Sequence, residues 1–204
     1  MKKKLKKIYV LLAVMCTLFA LTACSKENRD EEKTTEETET IITTEEEVIP
    51  EFSDEYLVGL YYGGSSWGEY YDCIDATLII CTNHDVLVYM PTNVDEPYSV
   101  TDVEVVATLT LTDEQYNNID SALDREKLYT MEIESDSEAC DGDSDYLILY
   151  DKNQEIAKAC GTYMPITEEF CDLYNIVLDN IPCDEINEIR EEQIEKLRKM
   201  DNGY

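Results

Sequence analysis

Two pairs of apolar, β-branched runs are each joined by only four polar residues, and this spacing limits the fold more than any other feature. Ala76–Cys81 and Val86–Met90 flank Thr82-Asn83-His84-Asp85, while Tyr146–Tyr150 and Glu155–Cys160 flank Asp151-Lys152-Asn153-Gln154. A link this short closes an antiparallel hairpin; parallel neighbours need a crossover of about a dozen residues or more. A doubly wound parallel sheet is therefore excluded. Further strands are expected at Tyr56–Tyr62 and at Asp102–Leu111, where Val103, Val105, Ala107, Leu109 and Leu111 alternate with mainly polar residues. That period places those five on one buried face. Tyr129, Met131 and Ile133 alternate in the same way and predict another strand.

Helical signals separate the strands. Thr112 stands three residues before Gln115, the spacing of a capping box, and Tyr116, Ile119 and Leu123 form one apolar stripe. Thr167 opens a second helix whose Phe170, Tyr174 and Val177 share a face. After Pro182 a third helix is expected over Asp184–Lys199, with Ile186, Ile189, Ile194 and Leu197 inward. Glu192–Lys196 and Glu195–Lys199 support it as i,i+4 pairs. The predicted class is α+β, a mostly antiparallel sheet with two to three helices packed on one face. Strand, turn, strand and Thr-capped helix occur twice. The hairpins align at an offset of 69 residues and the helix caps at 55, so the first copy is longer by 69 − 55 = 14. The echo fits either an old duplication or two strand-strand-helix units obeying the same packing rules.

Ahead of this domain the composition changes. Ser25–Pro50 is rich in Glu and Thr, with almost nothing apolar before Ile41. Such a stretch buries too little surface to offset its ordering entropy and is expected to act as a disordered acidic tether. At the very start, Lys2, Lys3, Lys4, Lys6 and Lys7 precede an apolar run from Ile8 to Leu21, closing on Leu21-Thr22-Ala23-Cys24. The run is 14 residues, short of the roughly 17–25 a spanning helix needs, and reads as a secretory signal. Its Leu-x-Ala-Cys ending resembles the lipobox of bacterial membrane lipoproteins. The resemblance covers residues 1–24 only. It implies lipidation of Cys24, cleavage before it, export, and anchoring to the outer face of the bacterial cell membrane. The expected organisation is then a signal peptide over 1–23, a lipidated tether over 24–50 and one globular domain over 51–204.

Charge narrows the partners. The chain carries 16 basic and 46 acidic residues, a net charge of −30. Loss of residues 1–23 removes five lysines, giving 11 − 46 = −35. A surface this acidic repels phosphate backbones, which argues against nucleic acid, and anionic headgroups, which leaves membrane contact to the N-terminal lipid. A cationic protein or a glycan fits as partner, and the charge itself keeps the domain soluble.

Apart from Cys16 and Cys24, the cysteines are Cys73, Cys81, Cys140, Cys160, Cys171 and Cys183, with no C-x-x-C spacing. In the second hairpin, turn residues 151 + 154 = 305 set the register, so Cys160 is expected opposite Asp145. Gly142 could then let Cys140 fold back to Cys160. A Cys160–Cys171 bond, or a free Cys160 acting as a small buried hydrophobe, are the alternatives.

Three constellations bear on chemistry. Gly64-Ser65-Ser66-Trp67-Gly68 matches G-x-S-x-G, but the elbow of α/β-hydrolases needs a helix after the serine, and Glu69–Cys81 reads as strand. The only histidine, His84, falls in a turn and has no visible partner. The segment reads instead as a glycine-rich loop that sets Trp67 among Tyr61, Tyr62, Tyr70 and Tyr71, an aromatic platform for a sugar ring or a protein. Asp141, Asp143 and Asp145 have the D-x-D-x-D opening of a calcium loop. Tyr146 replaces its glycine and Lys152 its bidentate glutamate, so they form either a low-affinity calcium site or an acidic lead-in to the strand. No cofactor other than that calcium is expected. No nucleophile, base and orienting group assemble, so the chain reads as a non-catalytic binding module at the cell envelope. The alternatives are an acidic inhibitor or immunity-like protein that captures a cationic enzyme and, third, an envelope hydrolase.

Overall fold

The computed structural model describes residues 48–64, 69–138 and 142–203. The signal, Cys24, most of the tether, Trp67, Cys140 and Asp141 lie outside the described residues. Backbone contacts begin at Glu51, whose carbonyl accepts from the Lys152 N–H, and at Ser53, whose N–H donates to the Tyr150 carbonyl.

The fold is α+β. Six strands, β1 (Tyr56–Tyr62), β2 (Ala76–Cys81), β3 (Asp85–Glu96), β4 (Ser99–Thr110), β5 (Ser144–Tyr150) and β6 (Ile156–Tyr163), form one sheet in the order β4-β3-β2-β1-β5-β6. Every neighbouring pair is antiparallel. The helices are α1 (Asp113–Ala122), α2 (Arg125–Thr130), α3 (Glu168–Asp179) and α4 (Cys183–Asp201). Among the described residues no helix is long and apolar enough to cross a membrane.

Side-chain alternation gives the sheet two different faces. Val58, Leu60, Leu78, Ile80, Val86, Val88, Leu147 and Leu149 point to one, where they pack with Ile119, Phe170, Val177, Ile186, Ile194 and Leu197 of the helices. On the other, Ile79, Cys81, Ile148 and Tyr150 form a separate cluster, closed over by Tyr56, Leu87 and Tyr89 instead of by helix. Gly59 lies on that second face. A Cβ there would stand 2.8 Å from the Tyr150 hydroxyl and 3.0 Å from the Leu78 carbonyl oxygen. The glycine is what lets the Tyr150 ring lie across the central strand.

Local chemistry explains the helix boundaries. Thr112 and Gln115 form the reciprocal capping box that their spacing predicts. Thr167 does precede α3, but its hydroxyl accepts from the Glu134 N–H instead of capping the helix. In α4, Gln193 is buried and donates to the Pro91 carbonyl at 2.8 Å, so the helix is keyed to β3 by a satisfied polar group. Glu195 and Lys199 pair at 3.3 Å.

Four expectations are corrected. Val103 and Val105 are 61 % and 43 % exposed. Val88 pairs with Ala107 and Tyr89 with Val105, which leaves Val106 as an extra residue. This bulge reverses the strand's facing, so Ala107, Leu109 and Val106 pack on the core while Val103 and Val105 turn to the opposite face. The expected strand at Tyr129–Ile133 is absent: Tyr129 lies in α2, which Asp124 caps by accepting from the Lys127 N–H, and Met131–Ile133 is irregular chain. Tyr129 then packs edge-on to Phe52, beneath the Lys158 ammonium. Glu69–Cys81 is not continuous strand, because Tyr70–Cys73 forms a 3-10 turn. Finally, Cys160 lies opposite Leu147, not Asp145: the turn pairs Tyr150 with Ile156, one residue off the expected register, and the ladder shifts by one more between Leu149 and Tyr150. Cys160 is a free, buried thiol, and Cys171 is also free, donating to the Pro165 carbonyl.

The two strand-strand-helix units differ by β4. The first hairpin is followed by a turn and a whole strand, Ser99–Thr110, before its helix, whereas β6 leads into α3 through residues 164–167 alone.

Gly59→Val places a better strand former in β1 and is nevertheless expected to destabilise the domain by about 1–3 kcal/mol through overpacking against Tyr150. Urea denaturation checks this; a variant as stable as the wild type would show that Tyr150 does not need that space.

Candidate functional site

The β1–β2 ladder runs through six residue pairs, whereas β1 meets β5 at only two, Gly59–Ile148 and Leu60–Leu147. Continued in register, the next pairs would be Tyr61–Tyr146, Tyr62–Asp145, Gly63–Ser144 and Gly64–Asp143. None of these is made. Those eight residues instead line a cleft of about 560 Å³, bounded also by Cys73, Asp75, Tyr174 and Leu178. The site is thus an opening in the middle of the sheet, where two inner strands part company.

Its walls carry aromatic rings and carboxylates. The Tyr61 and Tyr146 rings meet edge to face with centroids 6.3 Å apart. Tyr174, from α3, donates its hydroxyl to the Asp145 carboxylate. Burial raises the Asp145 pKa above its ordinary value; the Tyr174 hydrogen bond pulls the other way and the nearby Asp143 charge adds to the rise. Burial likewise drives the Tyr174 phenol upward, helped by the Asp145 charge. Tyr62 is pushed up to about 12, first by burial and then by the Cys183 thiol beside it.

Backbone freedom shapes the lip. Gly63 adopts φ +84°, a left-handed conformation that favours glycine, and a Cβ there would meet the Arg190 side chain at 3.2 Å. Gly64 donates its N–H to Asp75 Oδ1 at 2.6 Å. A Cβ on Gly64 would fall 1.9 Å from that same oxygen, so only glycine leaves the carboxylate in place. Beneath the lip, Arg190 donates to the Ile74 and Asp72 carbonyls, and Arg198 pairs with Asp72 at 2.5 Å. Helix α4 therefore fastens the chain segment that closes the cleft.

The structure brings together two groups that were separate in the sequence. Tyr61 and Tyr62 from the aromatic set share the cleft with Asp143 and Asp145 from the calcium-like run. Tyr70 does not join them; it sits with Tyr71 and Tyr98 in another aromatic cluster, its hydroxyl accepting from the Val100 N–H. Among the described residues no three His, Cys, Asp or Glu side chains are arranged to hold a metal ion. His84 stacks on Tyr116 at 4.1 Å and approaches Asp113 at 3.4 Å. It lies beyond the Cys81 end of β2, while Gly64 lies beyond the Ala76 end, about 20 Å away along six residues of strand. The histidine is therefore remote from Gly64, the one residue of the G-x-S-x-G segment that is described. Sequence reasoning missed Asp75, Tyr146 and Tyr174, because each enters through tertiary packing and belongs to no local motif.

No protein family, curated protein or solved structure matches this chain.

The Asp145 pKa predicts a cost in stability. A carboxyl with its folded pKa above the ordinary 3.8 is favoured in the folded state when protonated, and that advantage is lost as pH rises through the folded pKa. Asp145→Asn should therefore raise the thermal midpoint at pH 7. The gain should shrink as the pH falls below the ordinary carboxylate range, where Asp145 is itself neutral. Thermal melts across pH check this, and a variant less stable than wild type at pH 7 would contradict it.

Proposed function

We propose that this chain is a surface-anchored bacterial lipoprotein whose α+β domain is a non-catalytic binding module at the cell envelope. The observation that carries the binding assignment is the cleft, a preformed opening in the sheet where Tyr61, Tyr62, Tyr146 and Tyr174 surround three carboxylates. Such sites recognise ligands by stacking and by a few placed polar groups. The anchor rests on the lipobox resemblance, with Cys24 as the lipid-bearing residue and residues 25–50 as the tether.

A second reading, capture of a cationic enzyme by an acidic inhibitor, is favoured by the formal charge of −35 on residues 24–204. It uses the same cleft with a protein as the occupant.

A photo-crosslinking residue at Ser144, inside the cleft, tests the binding assignment in intact cells against one at Glu114 on α1. Adducts from position 144 and none from 114 are expected; equal adducts from both, or none from either, would remove it. For the anchor, Cys24→Ala should abolish labelling by a fatty-acid analogue and leave an uncut precursor. Undiminished labelling would contradict the anchor.

A further inference from the structure

We propose that the β1–β5 cleft is a binding site for an alkylammonium group, carried by a free amine or by a lysine side chain. The proposal deepens the binding-module reading and rests on it.

Charge gives the sign of the ligand. Asp75, Asp143 and Asp145 line the cleft, and among the described residues no Lys, Arg or His does. Arg190 lies under Gly63 with its guanidinium committed to the Ile74 and Asp72 carbonyls. An anion would enter against three carboxylates on a chain of net charge −30. The rings add an attraction of the same sign, since Tyr61, Tyr146 and Tyr174 present π faces and phenolic oxygens that favour a cation.

Geometry gives the kind of cation. The carboxylates come from separate segments, Asp75 before β2 and Asp143 and Asp145 at the start of β5. They do not converge as a metal trio among the described residues. Asp75 already accepts the Gly64 N–H, and Asp145 already accepts the Tyr174 hydroxyl. Neither presents the open two-oxygen fork that a guanidinium matches best. An ammonium, with three diverging N–H donors, needs only one oxygen from each of several separate groups. Leu178 and the tyrosine rings supply apolar wall for the methylenes behind it. An ammonium would also neutralise the repulsion between Asp143 and Asp145.

Isothermal titration calorimetry on the full chain in a non-ionic detergent tests this. The probes are n-butylamine, N-acetyl-lysine methylamide and its uncharged counterpart N-acetyl-norleucine methylamide. Saturable binding is expected from at least one amine and none from the norleucine compound. Equal affinities mean that a free amine suffices, and tighter binding of the lysine compound points to a peptide-borne side chain. Asp145→Asn and, separately, Asp143→Asn should each weaken binding about tenfold. Asp120→Asn, on exposed α1, should leave it unchanged. Folding of each variant is confirmed by circular dichroism, and Tyr146→Ala supplies a test that leaves the charge unaltered. Binding of norleucine as strong as that of lysine, no binding of either amine, or equal losses from Asp120→Asn and Asp145→Asn would overturn the proposal. If amines fail while Ser144 crosslinks remain, the ligand class is wrong and the binding module stands. If Ser144 crosslinks also fail, that reading falls as well.

Discussion

Strand β1 is the constraint on which the rest of the structure depends. It is the only strand joining the β2–β3–β4 system to the β5–β6 hairpin, and it does so on the β5 side through two residue pairs. Leu57, Val58 and Leu60 are buried against the helices, while Gly59 on the reverse face accommodates Tyr150. A central strand with so little pairing on one side must be held by packing. Leu60 and Leu147, which form the last pair, are both completely buried. Directly beyond them stand Tyr61 and Tyr62 on β1 and Tyr146 on β5, and only then glycine on β1 and aspartate and serine on β5.

The helices all serve one face of the sheet, and this asymmetry explains why the site lies where it does. Helix α3 lies over β5 and brings Tyr174 and Leu178 to the cleft, while α4 pins the Asp72–Ile74 segment through Arg190 and Arg198. The open face is closed by its own tyrosines, which can cover apolar neighbours while leaving hydroxyls to water. In a chain with so many carboxylates, this limits the exposed apolar surface without a second layer of helix.

Much of the fold was legible because it depends on local chemistry. Four-residue links force hairpins, and Thr112 with Gln115 closes its capping box without help from afar. The errors have a common origin in single-residue slips. One bulge at Val106 turned Val103 and Val105 outward, and two slips of one residue, in the turn and after Leu149, moved Cys160 from Asp145 to Leu147. Alternation predicts that a strand exists but cannot locate an extra residue within it. Tyr129–Ile133 alternates as a strand would, yet Tyr129 lies in the helix that Asp124 caps and Met131–Ile133 follows it as irregular chain. The site was half visible: Tyr61, Tyr62, Asp143 and Asp145 stood out as two unrelated groups. Their union depends on β1 pairing with β5, residues 147 − 60 = 87 positions apart, and no local pattern encodes where such a ladder stops.

The central claim is that the β1–β5 ladder ends at Leu60–Leu147 and opens into the site. Cross-strand backbone nuclear Overhauser effects in the isotope-labelled protein test it most directly. Contacts at Gly59–Ile148 and Leu60–Leu147, with none between the backbones of Tyr61 and Tyr146 or of Tyr62 and Asp145, are the predicted result. A ladder continuing through Tyr62–Asp145 would close the cleft and contradict the account.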